Sequence, residues 1–598
     1  MFLRRNRKRA AGEAYEYWTL CEAVRTERGP RQRIVATLGK LDAQAQEQAD
    51  WSDLDALLEG RPPARQLTLE GGVAEHSPPQ WERVNVRGVR VERTREFGEV
   101  YLGLALWRRL GLHRLLGELI QAGRETVPWP QAISVLAVAR FCAQRSELGI
   151  AEGWYERTAL EDLLGVDPST INDDRLYRAL DVLGSHKERL CTHLLERYRD
   201  WFGVRMEFLL YDVTSTFFEG QAAANEKAAR GYSRDSRSDC KQVCIGLVCT
   251  PEGLPLAFEV FAGNRADVTT VEEIVTAMED KYGQAERVWV MDRGMVSEEN
   301  IEFLRERKAR YLVGTPKSQL RAFEAALLDQ EGWTQVQAGL EAKLLAHPDG
   351  NGCEQFILCR SQARAEKEKA MLERQRERLC QEFAKIDAAL RRRPQKDLEA
   401  INRRIGRWEG RYPAAAKLIR AEFDYDAQGR ACGLRVSTAV ADGQWAAQAH
   451  GAYLLRTNCT EKDPAQLWRW YMQLTQAEAA FRTAKSDLGL RPIYHQKTER
   501  VEAHILVCFL ALAMWRSLEM WMAQKHLGHC ARKLIEEIAT LKSMDVILPV
   551  QRDRLQTELR LRLVAKPEPR VAQLLARLGL QLPTRSKTVE NVVEKISP

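Results

Sequence analysis

The residues best suited to chemistry are carboxylates placed where carboxylates are costly. Asp212 follows the apolar run Phe208-Leu209-Leu210-Tyr211 and precedes Val213-Thr214-Ser215-Thr216. Asp292 repeats the pattern after Val288-Trp289-Val290-Met291 and leads into Arg293-Gly294-Met295. A carboxylate in an apolar strand is expensive to bury unless it is paired or bound to a cation. Two such groups on adjacent strands repel, and a cation between them relieves the repulsion. Oxygen-only ligands suit Mg2+ or Mn2+. Singly, each aspartate reads equally well as a turn residue or helix cap at a strand end. Glu219 and Asp239 read as surface groups and are the alternative ligands if Asp212 is not one.

A third carboxylate is expected from a later helix, read over Leu467 to Leu488. Tyr471, Glu478 and Lys485 are spaced seven and seven, and a heptad returns within about 20° of its starting direction. They form one stripe, with Arg482 a turn beyond Glu478. Trp470, Leu474, Ala477 and Phe481 supply the packing face. An acid between a phenol and an ammonium suits metal binding beside a phosphate chain. An ordinary charged surface stripe explains the spacing as well.

The elements that must position these groups follow from periodicity. Phe208–Thr214, Gln242–Cys249 and Leu256–Phe261 read as strands, with the turn Thr250-Pro251-Glu252-Gly253 between the last two. Thr269 and Glu272 suggest a capping box opening a helix to about Lys281. A fourth strand at Arg287–Met291, a helix capped by Ser297 and a fifth strand at Tyr311–Gly314 follow. Three antiparallel strands, helix, strand, helix, strand is the order of a ribonuclease-H-like fold, in which the first and fourth strands are neighbours. The expected class is α/β: a mixed sheet flanked by helices, interrupted by a large insertion, with an added N-terminal helical region.

Around that core, residues 1–60 read as a basic hairpin unit, with strands at Tyr15–Leu20 and Arg33–Leu38 and a Gly29-Pro30 turn. Residues 61–94 read as a linker and 95–205 as a helical region open to DNA contact or to plain packing. Residues 206–316 form the first part of the core and 317–455 the insertion. Residues 456–540 form the second part, carrying Glu478, and 541–598 a helical tail. Within the insertion, Pro394 splits a charged helical hairpin over 364–411. From Arg364 to Arg420, 17 Lys and Arg stand against 9 Asp and Glu, and this excess of 8 is larger than the net charge of the whole chain, +7. A charge run of this kind is either a solvated arm or a surface facing DNA.

Composition bounds the rest. The 598 residues are 45% hydrophobic and 29% charged, enough apolar material for several cores. The mildly basic balance permits a nucleic-acid partner without requiring one. Thirteen unpatterned cysteines give no zinc spacing and fit a reducing cytoplasm, and Cys240, Cys244 and Cys249 read as strand residues. The basic N-terminus lacks the apolar core of a signal peptide. The longest apolar run, Ile505–Trp515, is short for a membrane span and reads as a buried helix, so no membrane partner is expected. There is neither a P-loop nor a dinucleotide fingerprint. His495 and His504 read as structural.

These motifs together resemble a DDE transposase of the insertion-sequence family-four group. Asp212-Val213-Thr214-Ser215-Thr216 is similar to its first-acid motif and Asp292-Arg293-Gly294-Met295 to its second. Its Glu signature, Tyr-x2-Arg-x3-Glu-x6-Lys, is matched in register by Tyr471, Glu478 and Lys485. Leu474 stands in the place of the Arg, where Arg469 or Arg482 is the possible substitute. Gly231-Tyr232-Ser233-Arg234-Asp235 with Asp239 and Lys241, Gly263-Asn264-Arg265-Ala266-Asp267, and Gly489 to His495 are also similar. The resemblance covers about residues 205–520.

The resemblance implies a metal-dependent, cut-and-paste transposase of an insertion sequence. Asp212, Asp292 and Glu478 would be the catalytic, metal-holding acids for two ions, Mg2+ or Mn2+. One ion would lower the pKa of the attacking hydroxyl and the other would stabilise the leaving oxygen. Arg293, Tyr471, Arg482 and Lys485 would contact DNA. The partners implied are double-stranded DNA, both element ends and target, with a homodimer in the DNA complex. An aromatic from the insertion is expected to stack on a flipped base. The expected location is the cytoplasm, on the nucleoid. The competing functions are a ribonuclease-H-like nuclease without strand transfer, an inactive DNA-binding regulator, and a coiled-coil scaffold built on residues 364–411.

Overall fold

The structure is a computed structural model describing residues 2–10, 13–26, 29–39, 83–283, 286–348, 350, 352–438, 448–552, 555–583 and 587–593. Contacts divide the chain into two compact units, residues 98–538 and a second formed by residues 1–97 with 539–598.

The larger unit is organised by a mixed sheet. Its centre is five strands, β1 (Phe208–Phe217), β2 (Gln242–Cys249), β3 (Pro255–Ala262), β4 (Val288–Met291) and β5 (Arg310–Gly314), in the order β3-β2-β1-β4-β5. β1, β2 and β3 are antiparallel neighbours, whereas β4 lies parallel to both β1 and β5. This is the ribonuclease-H-like order. The parallel crossovers pass through helices α1 (Val271–Tyr282) and α2 (Glu298–Glu306). β2 and β4 are buried at every position, which suits strands covered on both faces. The Thr269–Glu272 capping box does not form: Thr269 Oγ1 donates to the Ala266 carbonyl instead.

The insertion does not simply interrupt the sheet. Three of its strands, β6 (Thr334–Gln337), β7 (Leu340–Ala346) and β8 (Gln355–Ser361), extend it beyond β5 through β9 (Ala452–Thr457). A buried ion pair between Arg456 of β9 and Glu354, at 2.9 Å, fastens this extension. What projects is helix α3 (Gln362–Arg392), helix α4 (Glu399–Arg411) and the hairpin Ile419–Tyr425/Ala431–Thr438. Leu379, Phe383, Ile386, Leu390, Ile405 and Leu434 give this projection its own core.

Helices α5 (Pro464–Met472), α6 (Leu474–Ser486) and α7 (Thr498–Gln524) complete the unit. The single helix expected over Leu467–Leu488 is instead two, because the chain turns at Gln473. α7 is long and apolar enough to cross a membrane by composition, yet residues 503–518 are all buried inside the protein. It packs against the helices Trp129–Cys142 and Asp173–Gly184, so the N-terminal helical region shares one core with the sheet.

In the smaller unit, strands Phe2–Ala10, Glu13–Thr26 and Gly29–Gly39 form an antiparallel sheet. Gly29 and Pro30 pair with Thr26 and Arg25, so they belong to the strand rather than to the turn. Two expectations need correction. The segment read as a linker over 61–94 contains strands Arg83–Val84 and Arg90–Glu96, which pair with Lys542–Arg552; residues 61–82 lie outside the described residues. The tail read as helical over 541–598 is mostly sheet, with Lys542–Arg552, Leu555–Val564 and Lys587–Val593 around one helix, Pro569–Leu578. The reason is period-two patterning, in which Leu559, Leu561 and Leu563 alternate with Glu558, Arg560 and Arg562. Asp545 is buried there against Arg562 at 2.7 Å and Arg95 at 3.4 Å.

Candidate active site

The parallel pairing of β1 with β4 sets the site. Tyr211 lies opposite Met291, so Asp212 and Asp292 are the next residues on adjacent chains, about 5 Å apart along the hydrogen-bonding direction. β4 ends at Met291, and Asp292 leaves the sheet into a short 3-10 turn, Arg293–Met295. Tyr211, which precedes the first acid, is fully buried and donates to Thr270 Oγ1 at 2.7 Å. That bond anchors β1 beneath the site.

α6 packs on β1 and β2 through Leu474, Ala477, Phe481 and Ala484 and leaves Glu478 exposed. Electrostatics report the convergence of all three acids. Burial pushes the Asp212 carboxyl up to about 7; the Val213 amide, 2.8 Å from Oδ1, and the charge of Arg234 oppose this, while the charges of Glu478 and Asp292 add to it. Mutual repulsion at a carboxylate cluster is what a hard cation removes. The residues present therefore fit a divalent ion with oxygen ligands.

Tyr471 comes to the site from the last turn of α5, not from the helix that carries Glu478. Its hydroxyl lies 3.4 Å from Asp292 Oδ1, and burial followed by the Asp292 charge drives the phenol pKa well up. The approach depends on Gly314 at the end of β5, where a Cβ would stand 2.6 Å from the Tyr471 hydroxyl and 3.1 Å from the Arg293 amide nitrogen. Arg293 and Arg482 are exposed.

Lys485 is placed differently from the expected DNA contact. Its ammonium is turned inward, 2.9 Å from Asp235 Oδ1, with side chains 10% and 4% exposed. Arg491 pairs with the same carboxylate oxygen. Asp235 sits in the loop after β1, where Arg234 N donates to Ser215 Oγ and the Arg234 guanidinium pairs with Asp267. The motifs around Gly231 and Gly263 thus meet beside the acids. Glu219 and Asp239 share Arg237 at the surface and do not join the three acids. Leu474, in the place of the signature Arg, is 6% exposed and packs inward.

A second cluster escaped the sequence reading. Glu147, His495 and His504 are buried, with ligand atoms within 4.8 Å of one another. The Arg140 guanidinium lies 3.7 Å from Glu147 and 3.4 Å from His504 Nδ1, and it also donates to the Gly489 carbonyl at 3.1 Å. The cluster braces the chain leaving α6 against the helix Trp129–Cys142. Only spatial proximity reveals it, because Glu147 and His495 are remote in sequence.

The comparison with known families fits this geometry. The family model of the transposase DDE domain matches residues 203–514, just over half of the chain. This protein belongs to the DDE transposases. A second model, the N-terminal domain of IS1634 family transposases, matches residues 3–66 of the transposase and points to an insertion-sequence origin. No curated protein matches the sequence. Among solved structures, the cryo-EM piggyBac transposase synaptic complex with hairpin DNA is similar at 10% identity, over 73% of this chain and 79% of that chain, with a TM-score of 0.35. As a DDE transposase the protein is a DNA-binding, DNA-cleaving enzyme that uses divalent metal.

Proposed function

We propose that the transposase excises and inserts its element by a cut-and-paste route, with Asp212, Asp292 and Glu478 as the catalytic and metal-holding residues. The observation that carries this is the register that puts Asp212 beside Asp292, with the charge of Glu478 acting on Asp212. Asp212, Asp292 and Glu478 would hold two Mg2+ or Mn2+ ions, which would supply activation of the attacking hydroxyl and stabilisation of the leaving oxygen. The protein's own part is positioning. β1 and β4 fix two carboxylates on a rigid sheet, and α6 brings the third across it. Tyr471 orients the Asp292 carboxylate, while exposed Arg293 and Arg482 hold phosphates on either side of the scissile bond. Lys485 supports α6 through Asp235 and does not itself touch DNA. The reaction joins two element ends to a target, so the working complex is a homodimer on DNA, acting in the cytoplasm.

The test is cleavage of a duplex carrying the element's end repeats, with Mg2+ or Mn2+, by wild type and Asp292→Ala. Metal-dependent nicking at the repeat edge, lost in the variant, is the expected result. Undiminished nicking by Asp292→Ala would overturn the assignment.

A further inference from the structure

The projection from the sheet leaves a strongly basic end unexplained by catalysis. α3 starts where β8 ends, at Ser361. Arg360 of β8 pairs with Ala452 of β9, and β9 pairs through Leu455 with Gly314, the residue packed against Tyr471 and Arg293. α3 therefore leaves the sheet from the edge that bears the acids. Glu368 in its second turn fixes the exit, accepting from Lys317 Nζ at 2.8 Å and from the Gly451 amide at 2.9 Å. Beyond that point α3 runs on to Arg392. At about 1.5 Å per residue, a helix of 31 residues spans roughly 45 Å.

At its far end stand Arg392, Arg393 and Lys396, all exposed and without an ion pair among the described residues. Much of the acid on α3 is already used: Glu373, Glu382 and Asp387 pair with Arg376, Lys385 and Arg391. On α4, Ile405 faces the projection's core, so Arg403 and Arg407, two positions to either side, point away from it. Arg403 pairs with Glu399 at 3.1 Å, so the positive charge left over at the tip is that of Arg392, Arg393 and Lys396, carried on an arm that rises from the catalytic edge.

We propose that this tip grips the phosphate backbone of duplex DNA, sequence-independently, up to about 13 base pairs from the bond being cut (3.4 Å per base pair). The partner is double-stranded DNA, chosen over an acidic protein because the chain acts on DNA and the unpaired cations stand together at the end of α3 and in the connection to α4. The inference rests on the transposase reading for its DNA and extends it to a second contact site.

The experiment measures binding of the full chain to two fluorescent duplexes, one with the element end and one of unrelated sequence, in EDTA and at several salt concentrations. Wild type is compared with R392Q/R393Q/K396Q and with R392K/R393K, folding being checked by thermal unfolding. Each lost phosphate contact reduces the slope of log K against log salt by about 0.9. The triple variant is then expected to lose about 40-fold less affinity than wild type between 50 and 200 mM salt. The lysine variant keeps the wild-type slope, and both duplexes respond alike. An unchanged slope in the triple variant overturns the proposal, as does an effect confined to the element-end duplex. Cleavage plays no part in this readout, so an inactive catalytic site leaves the result interpretable.

Discussion

Lys485 and Asp235, 250 residues apart in sequence, form a buried ion pair of 2.9 Å that ties the helix of the third acid to the loop following the strand of the first. Removing one partner of such a pair leaves an uncompensated buried charge, which costs about 3–5 kcal/mol. Asp235→Asn strands the buried Lys485 ammonium and is expected to destabilise the protein by about 3 kcal/mol, whereas Lys485→Met is expected to cost less, because Arg491 still pairs with Asp235. The double variant should be less affected than the two singles combined, read as unfolding midpoints in a double-mutant cycle. A surface role for Lys485 in DNA contact would instead leave stability unchanged and shift only the salt dependence of binding.

Asp212 makes metal binding depend on pH. Its folded pKa of about 7 lies above the ordinary aspartate value of 3.8, so the metal-free fold favours the protonated acid. The group therefore adds stability at low pH, fully below about 3.8, and that contribution is lost as pH rises through about 7. A bound cation needs the carboxylate, so metal must displace the proton below pH 7. Calorimetric titration of Mn2+ in buffers of different ionisation enthalpy should show close to one proton released at pH 6 and little at pH 8.5. Asp212→Asn should abolish the difference.

Leu474 explains why the signature lacks its arginine. The position faces the sheet, 6% exposed, on the packing side of α6. Leu474→Arg buries an unpaired charge and is expected to lower stability by several kcal/mol without raising DNA affinity. A thermal unfolding curve like that of wild type, together with tighter DNA binding, would show that the side chain reaches solvent and that the inward packing is wrong.

The Glu147 cluster predicts acid sensitivity. Burial raises the Glu147 carboxyl, but the hydrogen bond and charge of His495, with the charges of His504 and Arg140, outweigh it and bring it down to about 2. A depressed acid contributes stability above its unfolded pKa, and that contribution is lost as pH falls from about 4.5 towards 2. Glu147→Gln should flatten the decline of the unfolding midpoint over that window. It should also loosen the Gly489 segment, seen as faster amide exchange there.

How much of this was legible in sequence depended on the range of each signal. The strands of Asp212 and Asp292 announce themselves because an apolar run ending in acid is a local pattern. Their adjacency required the order of the elements, which short turns and capping residues supply. The break at Gln473 carries no Gly or Pro, so periodicity runs straight through it and does not show that Tyr471 and Glu478 lie on separate helices. Strands β6–β8 could not be assigned to the catalytic sheet, because nothing within a strand states which edge it will join. The Asp235–Lys485 and Glu147–His495 pairs are products of the fold, with no local pattern to betray them. The terminal strands had a visible Leu alternation, but the helix at Val571–Leu578 dominated the reading of that stretch.

Arg293 and Arg482 offer the cleanest separation of binding from folding. Both are exposed, one in the turn after Asp292 and the other a helical turn beyond Glu478, and neither has an ion-pair partner among the described residues. Exposed side chains without partners change stability by no more than about 0.5 kcal/mol when truncated. Arg293→Ala and Arg482→Ala should therefore unfold like wild type. Each should reduce the salt slope of DNA binding by about 0.9 and weaken binding to all sequences alike. Cleavage should fall further than binding, because a phosphate held beside the scissile bond also stabilises charge as the bond breaks. The checks are anisotropy titrations at several salt concentrations and single-turnover cleavage. Equal losses in binding and cleavage would place these arginines in general DNA attraction and away from the reacting phosphate.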